Sequence, residues 1–149
     1  MTEPVTSAPT TGPRDQAGLF EAARAARLKA YTPYSNFKVG AALLCKDGRV
    51  FHGCNVENAS YGLCNCAERT AFFSAIAHGC QPGDFSALAV IGATDGPISP
   101  CGACRQVILE LGGAALPVTL ANLDGAVMET SAEALLPFGF GPADLNKQA

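Results

Sequence analysis

The sequence has no block of basic residues, no long apolar run, few charges, and only two histidines in 149 residues. Each shortage excludes something. Ten basic against thirteen acidic side chains leave a net charge of −3, so an electrostatic footprint for nucleic acid or an anionic lipid surface is missing and a small-molecule partner is expected. No run approaches the roughly 20 apolar residues that cross a bilayer, which excludes a spanning helix. The N-terminus lacks a positive region followed by an apolar stretch, so no secretory signal is expected and a cytoplasmic location follows. With 15% charged and 48% apolar residues, the chain reads as compact and globular. No internal repeat is visible. Residues 1–14 are rich in Thr, Pro and Ser and read as a disordered tail, with 15–149 a single domain. Cysteine is not scarce. Seven is an odd number for a chain without an export signal, and a reducing compartment keeps such thiols unpaired. Their placement has to be explained by metal, catalysis or packing.

Apolar spacing predicts the elements. From Asp15 onward, Leu19, Phe20, Ala23, Ala26 and Ala30 form a helical stripe that Thr32-Pro33 ends. Residues 37–45 and 49–55 read as strands joined by a hairpin at Lys46-Asp47-Gly48. A helix over 66–77 is apolar nearly all round (Ala67, Ala71, Phe72, Phe73, Ala75, Ile76, Ala77), so it is expected to be buried on most sides, within the domain or partly against another subunit. Residues 88–91 are a continuous apolar run, as in a central strand covered on both faces. A helix begins near Cys101 after Pro100, carries Cys104, Val107, Ile108 and Leu111 on one stripe, and stops at Gly112-Gly113. A strand over 117–121 follows, which makes a βαβ unit with parallel strands. Residues 122–125 are too short for a crossover, so the next strand runs antiparallel. Ser131 caps a short helix through Leu136. The sum is an α/β fold of three layers, α/β/α, around a mixed five-stranded sheet.

Two clusters carry chemistry. Cys66-Ala67-Glu68 opens one helix, and Pro100-Cys101-Gly102-Ala103-Cys104 opens the next. Cys101 and Cys104 lie three apart and face one side of a first helical turn, and Cys66 can approach from the neighbouring helix. Three thiolates suit Zn²⁺ and leave a position open for water, the mark of a catalytic rather than a structural site. Helix N-termini stabilise thiolate charge. Arg69 is the local cation to offset the net negative charge of such a centre. Glu68, two residues beyond a ligand, is held close without coordinating, and can take a proton from water on the metal and pass it on. This pattern resembles the zinc deaminases, which usually begin their ligand set with His but admit a Cys₃ site.

A third feature is Asn55-Val56-Glu57-Asn58-Ala59-Ser60-Tyr61-Gly62. Asn55 and Glu57, two apart at a strand end, point the same way and can jointly hold a polyol. Upstream stand Tyr31-Thr32-Pro33-Tyr34-Ser35-Asn36-Phe37 and Val39-Gly40-Ala41-Ala42-Leu43. Together these motifs resemble the cytidine deaminases of the small, homotetrameric, zinc-dependent kind, from about Leu19 to Leu145. The resemblance implies one zinc per chain on Cys66, Cys101 and Cys104, with Glu68 as the proton shuttle. It implies that Asn55 and Glu57 hold the ribose hydroxyls and that Phe37 packs on the pyrimidine. The Ala67 backbone would read the base edge, and Arg69 would partly neutralise the thiolates. Tyr61 and residues 135–140 match stretches that neighbouring subunits lend to one another's sites, with Phe140 the better match to the family's aromatic and Phe138 an extra one. One departure is Cys64, where the family usually carries Thr or another uncharged residue; it is placed to compete for metal or to oxidise against Cys66.

The implied reaction is hydrolytic deamination of cytidine and 2′-deoxycytidine to uridine and 2′-deoxyuridine with release of ammonia, in pyrimidine salvage. Alternatives are a blasticidin S-type deaminase, which shares the Cys₃ site, and a zinc-stabilised module that binds nucleosides without turning them over. A redox role for Cys101 and Cys104 is weaker, because ligated thiolates do not cycle. Deaminases acting on nucleic acids or nucleotides are weaker alternatives too, because they typically use His as first ligand and this chain lacks a basic surface for a polyanion. His52 and His78 stand beside no ligand motif and read as surface or packing residues. Cys45, Cys54 and Cys80 read as small buried or half-exposed residues. The loop at Asp95-Gly96-Pro97 lies at a strand end, the edge of an α/β sheet where sites form. Tyr31 and Tyr34 either pack the first helix onto the sheet or contact substrate. Phe72, Phe73 and Ile76 belong to the core or to a subunit interface.

Overall fold

The apolar run at 88–91 lies at the centre of the molecule. In the computed structural model, which describes residues 18–146, it is part of β3 (Phe85–Gly92), the middle strand of a five-stranded sheet ordered β2-β1-β3-β4-β5. The expected tail, residues 1–14, lies outside the described residues. β1 (Val39–Cys45) pairs antiparallel with both β2 (Val50–Cys54) and β3, β3 pairs parallel with β4 (Pro117–Asn122), and β4 pairs antiparallel with β5 (Val127–Ser131). The mixed sheet is the one expected, including the single parallel pair forced by the helical crossover.

Strand alternation divides the core in two. Ala42 and Leu44 of β1 with Ala87, Ala89 and Ile91 of β3 face α1 (Leu19–Arg27), which buries Leu19 and Ala23. Ala41 and Leu43 with Leu88, Val90, Val118 and Leu120 face the other layer, built from α2 (Ala67–Ala77), α3 (Gly102–Val107) and α4 (Ala132–Leu135). A bulge between Leu44 and Cys45 lets Cys45 and Phe85 share this second face. Ser131 caps α4 as expected, its Oγ accepting from Ala134 N.

Three boundaries and one added helix depart most from the sequence expectation, for local reasons. α1 stops at Arg27, short of Thr32-Pro33, because Tyr31 is drawn into a bridge with Val56: Tyr31 N donates to Asn55 O at 3.0 Å and Glu57 N to Tyr31 O at 2.9 Å. β1 starts at Val39 rather than 37. The Asn55 side chain occupies the backbone there, its Oδ1 accepting from Val39 N and its Nδ2 donating to Phe37 O, both at 2.8 Å. The helix expected through Leu111 is α-helical only to Val107 and continues as a wider π-type turn over Ile108–Gly112. Apolar spacing over one turn does not separate the two geometries. Finally, α5 (Pro142–Leu145) was not expected, although Pro at its start and Asp144, whose Oδ2 accepts from Gly141 N at 2.8 Å, are helix-opening signals.

α2 is not buried all round. Phe72 is fully enclosed and stacks edge-on against Phe85 at 5.2 Å, whereas Phe73 and Ile76 are 47% and 37% exposed. Its approach to the sheet depends on Gly53. A Cβ there would lie 2.2 Å from Ala67 O and 2.6 Å from Ala71 N. Gly40 does the same for α1 on the opposite face, where a Cβ would lie 2.0 Å from Ala23 O. Gly53→Ala must therefore push the first turns of α2 off the sheet. It is expected to cost about 3 kcal/mol, a fall in Tm on the order of 10 °C in thermal unfolding, while Gly62→Ala, which meets nothing within 4 Å, stays close to the parent.

Candidate active site

Two helix starts meet above the parallel strands. Cys66 is the N-cap of α2 and Cys101 the N-cap of α3, both in extended backbone conformation, and Cys104 sits in the first turn of α3. Residues that precede a helix in this conformation aim their side chains across its exposed N–H groups; Cys101 Sγ accepts from Cys104 N at 3.4 Å. The three sulfurs lie within 4.8 Å of one another. Cys66 and Cys101 Sγ are 3.8 Å apart. Two sulfurs bound tetrahedrally at about 2.3 Å from one zinc would be separated by about the same distance. The donor set and its spacing thus fit Zn²⁺, with Cys104 buried, Cys66 half-buried and Cys101 open to solvent.

Electrostatics at the cluster are uneven. Hydrogen bonding from Cys104 and the Arg69 guanidinium pull the Cys66 thiol down to about 5. Cys104 is pushed up, by its bond to Cys66 and by burial. Arg69 Nη2 donates to Cys66 Sγ at 3.2 Å, while its buried Nε has no hydrogen-bond partner among the described residues. The guanidinium thus donates to one of the three sulfurs. Glu68 is 4% exposed, and burial pushes its carboxyl above the ordinary carboxylate range, with the Cys66 charge adding to the effect. A carboxyl so raised keeps a proton more readily than a free one, as a group that passes protons must.

These groups open onto a cavity of about 300 Å³ lined by Phe37, Val39, Asn55, Cys66, Ala67, Glu68, Thr94, Ile98, Ser99 and Cys101, a volume at the small end of ligand sites. Phe37, Asn55, Ala67, Glu68 and two of the expected ligands therefore share one cavity. Glu57 does not line it. It lines a neighbouring cavity of about 260 Å³ with Tyr34, Ser35, Tyr61 and Cys64. There Glu57 Oε1 accepts from Tyr34 N and Ser35 N at 3.0 and 3.1 Å, and Oε2 accepts from Ser35 Oγ. The Ser35 hydroxyl, first among these bonds, holds the Glu57 carboxyl below its usual range. A carboxylate offers about four acceptor positions, so one remains for a further hydroxyl. Asn55 has both its polar atoms engaged with the Phe37–Val39 backbone, which ties it to the ring it was expected to work beside.

Phe140 lines neither cavity. It is 57% exposed, and its carbonyl accepts from Gln106 Nε2 at 2.7 Å. Tyr61, also exposed, meets Tyr34 edge-on at 5.9 Å. Tyr31 and Tyr34 are both exposed, and Tyr34 lines the cavity that holds Glu57. Cys64 stands apart from the sulfur cluster: Asn58 N donates to its Sγ at 3.3 Å, so the expected competition for metal finds no support in the geometry. His52 is exposed; His78 is exposed too, with its Nδ1 against Ser74 O and its ring on Phe51. Cys45 and Cys80 are buried together, 3.1 Å apart, and Cys54 is half-buried. Thr94, Ile98 and Ser99 were not singled out from sequence, although they flank the strand-end loop that was.

Similarity to known proteins points the same way as this geometry. Residues 13–120 match the family model described as the cytidine and deoxycytidylate deaminase zinc-binding region. The chain is 53% identical over 131 residues to a cytidine deaminase of Sporosarcina psychrophila, covering 88% of this chain and 95% of that one. Among solved structures, a cytidine deaminase from Burkholderia pseudomallei superposes with a TM-score of 0.83 at 68% identity, over 84% of this chain and 98% of that one. The cytidine deaminase from Mycobacterium tuberculosis gives 0.70 at 42% identity, over 83% and 94%. With three sulfurs and a buried carboxyl opening two helices on this sheet, and with relatives matched over nearly their whole length, the chain belongs to the cytidine and deoxycytidylate deaminase family.

Proposed function

We propose that this chain, as one domain over residues 15–149, catalyses the hydrolytic deamination of cytidine and 2′-deoxycytidine to uridine and 2′-deoxyuridine with release of ammonia, in cytoplasmic pyrimidine salvage. The observation that carries this reading is the buried Glu68 carboxyl beside three converging thiols at the wall of a nucleoside-sized cavity. Cys66, Cys101 and Cys104 would hold one zinc per chain. Bound there, zinc supplies Lewis-acid activation of water. The remaining work belongs to the protein. Phe37 offers a ring to pack on the pyrimidine, and the Ala67 backbone, at the wall of the same cavity, meets the base's hydrogen-bonding edge. Asn55 and Glu57 take the sugar hydroxyls. Glu68 accepts the proton of the attacking water and delivers it to N3 as the oxygen adds to C4. It then takes the remaining proton from the C4 hydroxyl and gives it to the departing amine, so that the C4–N bond breaks, water's oxygen becomes the new carbonyl and ammonia leaves. Arg69 limits the negative charge of the sulfurs during this exchange.

The site is completed by further copies of the chain in this reading, as a homotetramer. Support comes from the apolar surface: Leu63, Phe73 and Phe140 are exposed, and Phe138 is wholly exposed with φ 58. An aromatic residue in the left-handed region costs on the order of 1–2 kcal/mol, a strain that surroundings must over-determine. Large apolar side chains left this exposed are what a subunit interface would cover.

Glu68→Ala is expected to keep its zinc and to lose at least about 10³-fold in kcat for cytidine, measured by the fall in ultraviolet absorbance; substantial residual turnover would remove Glu68 from its role. Parallel assays with blasticidin S separate the antibiotic deaminases, and nucleoside binding without product separates the binding module. Sedimentation equilibrium of the parent is expected to give four chains, and Phe138→Asp to shift it toward smaller species. A monomeric parent would contradict the shared site.

A further inference from the structure

Arg105 follows Cys104 directly in the chain, yet its side chain contacts no sulfur. It turns back across the start of α3. Its Nε donates to Pro100 O at 2.8 Å, Nη2 donates to Ser99 Oγ, and Nη1 donates to Leu135 O at 2.7 Å. Three acceptors from two distant segments thus converge on one half-buried guanidinium, and all three are neutral. Ser99 lines the cavity, Pro100 is the residue immediately before Cys101, and Leu135 ends α4 at the start of the segment that carries Phe138 and Phe140. The backbone repeats the tie, since Arg105 N donates to Cys101 O at 3.0 Å.

We infer that Arg105 is a positioning residue that clamps the 99–101 loop and the α4 end to the first turn of α3, and so sets where the Cys101 sulfur stands against Cys66. Cys66 and Cys101 both precede their helices as N-caps, but Cys101 is the solvent-exposed member of the sulfur cluster, whereas Cys104 lies in the core and Cys66 packs against it. Something must fix that loop for the 3.8 Å spacing of Cys66 and Cys101 to persist. Proline at 100 removes one backbone donor, so the loop has fewer ties of its own. The guanidinium replaces them with charge-assisted bonds in a fixed plane, whose fork reaches residues 99, 100 and 135 together. A lysine ammonium, a single point on a flexible stem, does not span these three acceptors. The inference rests on the reading of the cluster as a zinc site.

Its test uses the full chain loaded with zinc. The parent, Arg105→Lys, Arg105→Gln and Ser99→Ala are compared for the rate of zinc transfer to a chelating dye, and for the thiolate-to-cobalt absorption of cobalt-substituted samples. Both Arg105 variants are expected to release zinc roughly 10- to 100-fold faster and to shift or broaden the cobalt band, as found when groups that orient metal ligands are removed. Lysine gives no rescue, and Ser99→Ala moves the same way by less. Release within twofold of the parent with an unchanged cobalt band would overturn the inference, even if Tm falls, because the arginine would then serve the fold alone. If Arg105→Gln does not fold, Arg105→Lys and Ser99→Ala decide by the same criteria. A parent that binds no zinc would instead overturn the reading of the site itself.

Discussion

Bringing three thiols and a carboxyl together in a partly buried place is the constraint around which this molecule is built. Like charges so close repel, and burial raises the cost of each. Two helix N-termini and one guanidinium offset it. Cys66 and Cys101 both occupy N-cap positions, where unsatisfied backbone N–H groups favour negative charge, and Arg69 donates to Cys66 Sγ, whose thiol is pulled down. Glu68 answers the same field in the opposite sense. Enclosed next to Cys66, it is driven toward its protonated form. The arrangement that gathers the sulfurs for the proposed metal therefore also tunes the carboxyl proposed to move protons.

Placement of the two helix starts depends on the sheet beneath them. The parallel pair β3 and β4 sends its connection over one face, so that α3 begins at the carboxyl end of β3. α2 reaches the same place from the antiparallel edge, and its first turns rest on the backbone of β2 where Gly53 has no side chain. Asn55 joins this frame to the cavity wall by taking over the backbone bonds of Phe37 and Val39. Structure and site are hard to separate here: residues expected to touch substrate also terminate strands.

Much of this was legible in the sequence because it depends on local pattern. Strand runs, the Ser131 cap, the parallel pair and the sulfur triad follow from periodicity, turn residues and ligand spacing. What was not legible depends on contacts made far along the chain. Strand β1 begins late because of an asparagine sixteen residues on. α1 ends early because Tyr31 finds Val56. A π-type turn and an α-helical turn bury the same stripe, so Ile108–Gly112 carried no distinguishing signal. Spacing put Asn55 and Glu57 on one side of the chain, yet the loop at 34–37 comes between them and gives each its own cavity. The all-round apolar character of α2 named two destinations for its residues, and Phe72 and Phe73 take different ones, inward and outward.

The central claim is that the three sulfurs and Glu68 form one working centre. Its most direct test is a zinc titration of protein stripped of metal, following the absorbance of cytidine while metal per chain is measured on the same samples. The account predicts a rate that rises in proportion to bound zinc and levels off at about one ion per chain, with uridine and ammonia formed in equal amounts. A fully loaded protein that leaves cytidine unchanged, or a rate indifferent to zinc, would contradict it.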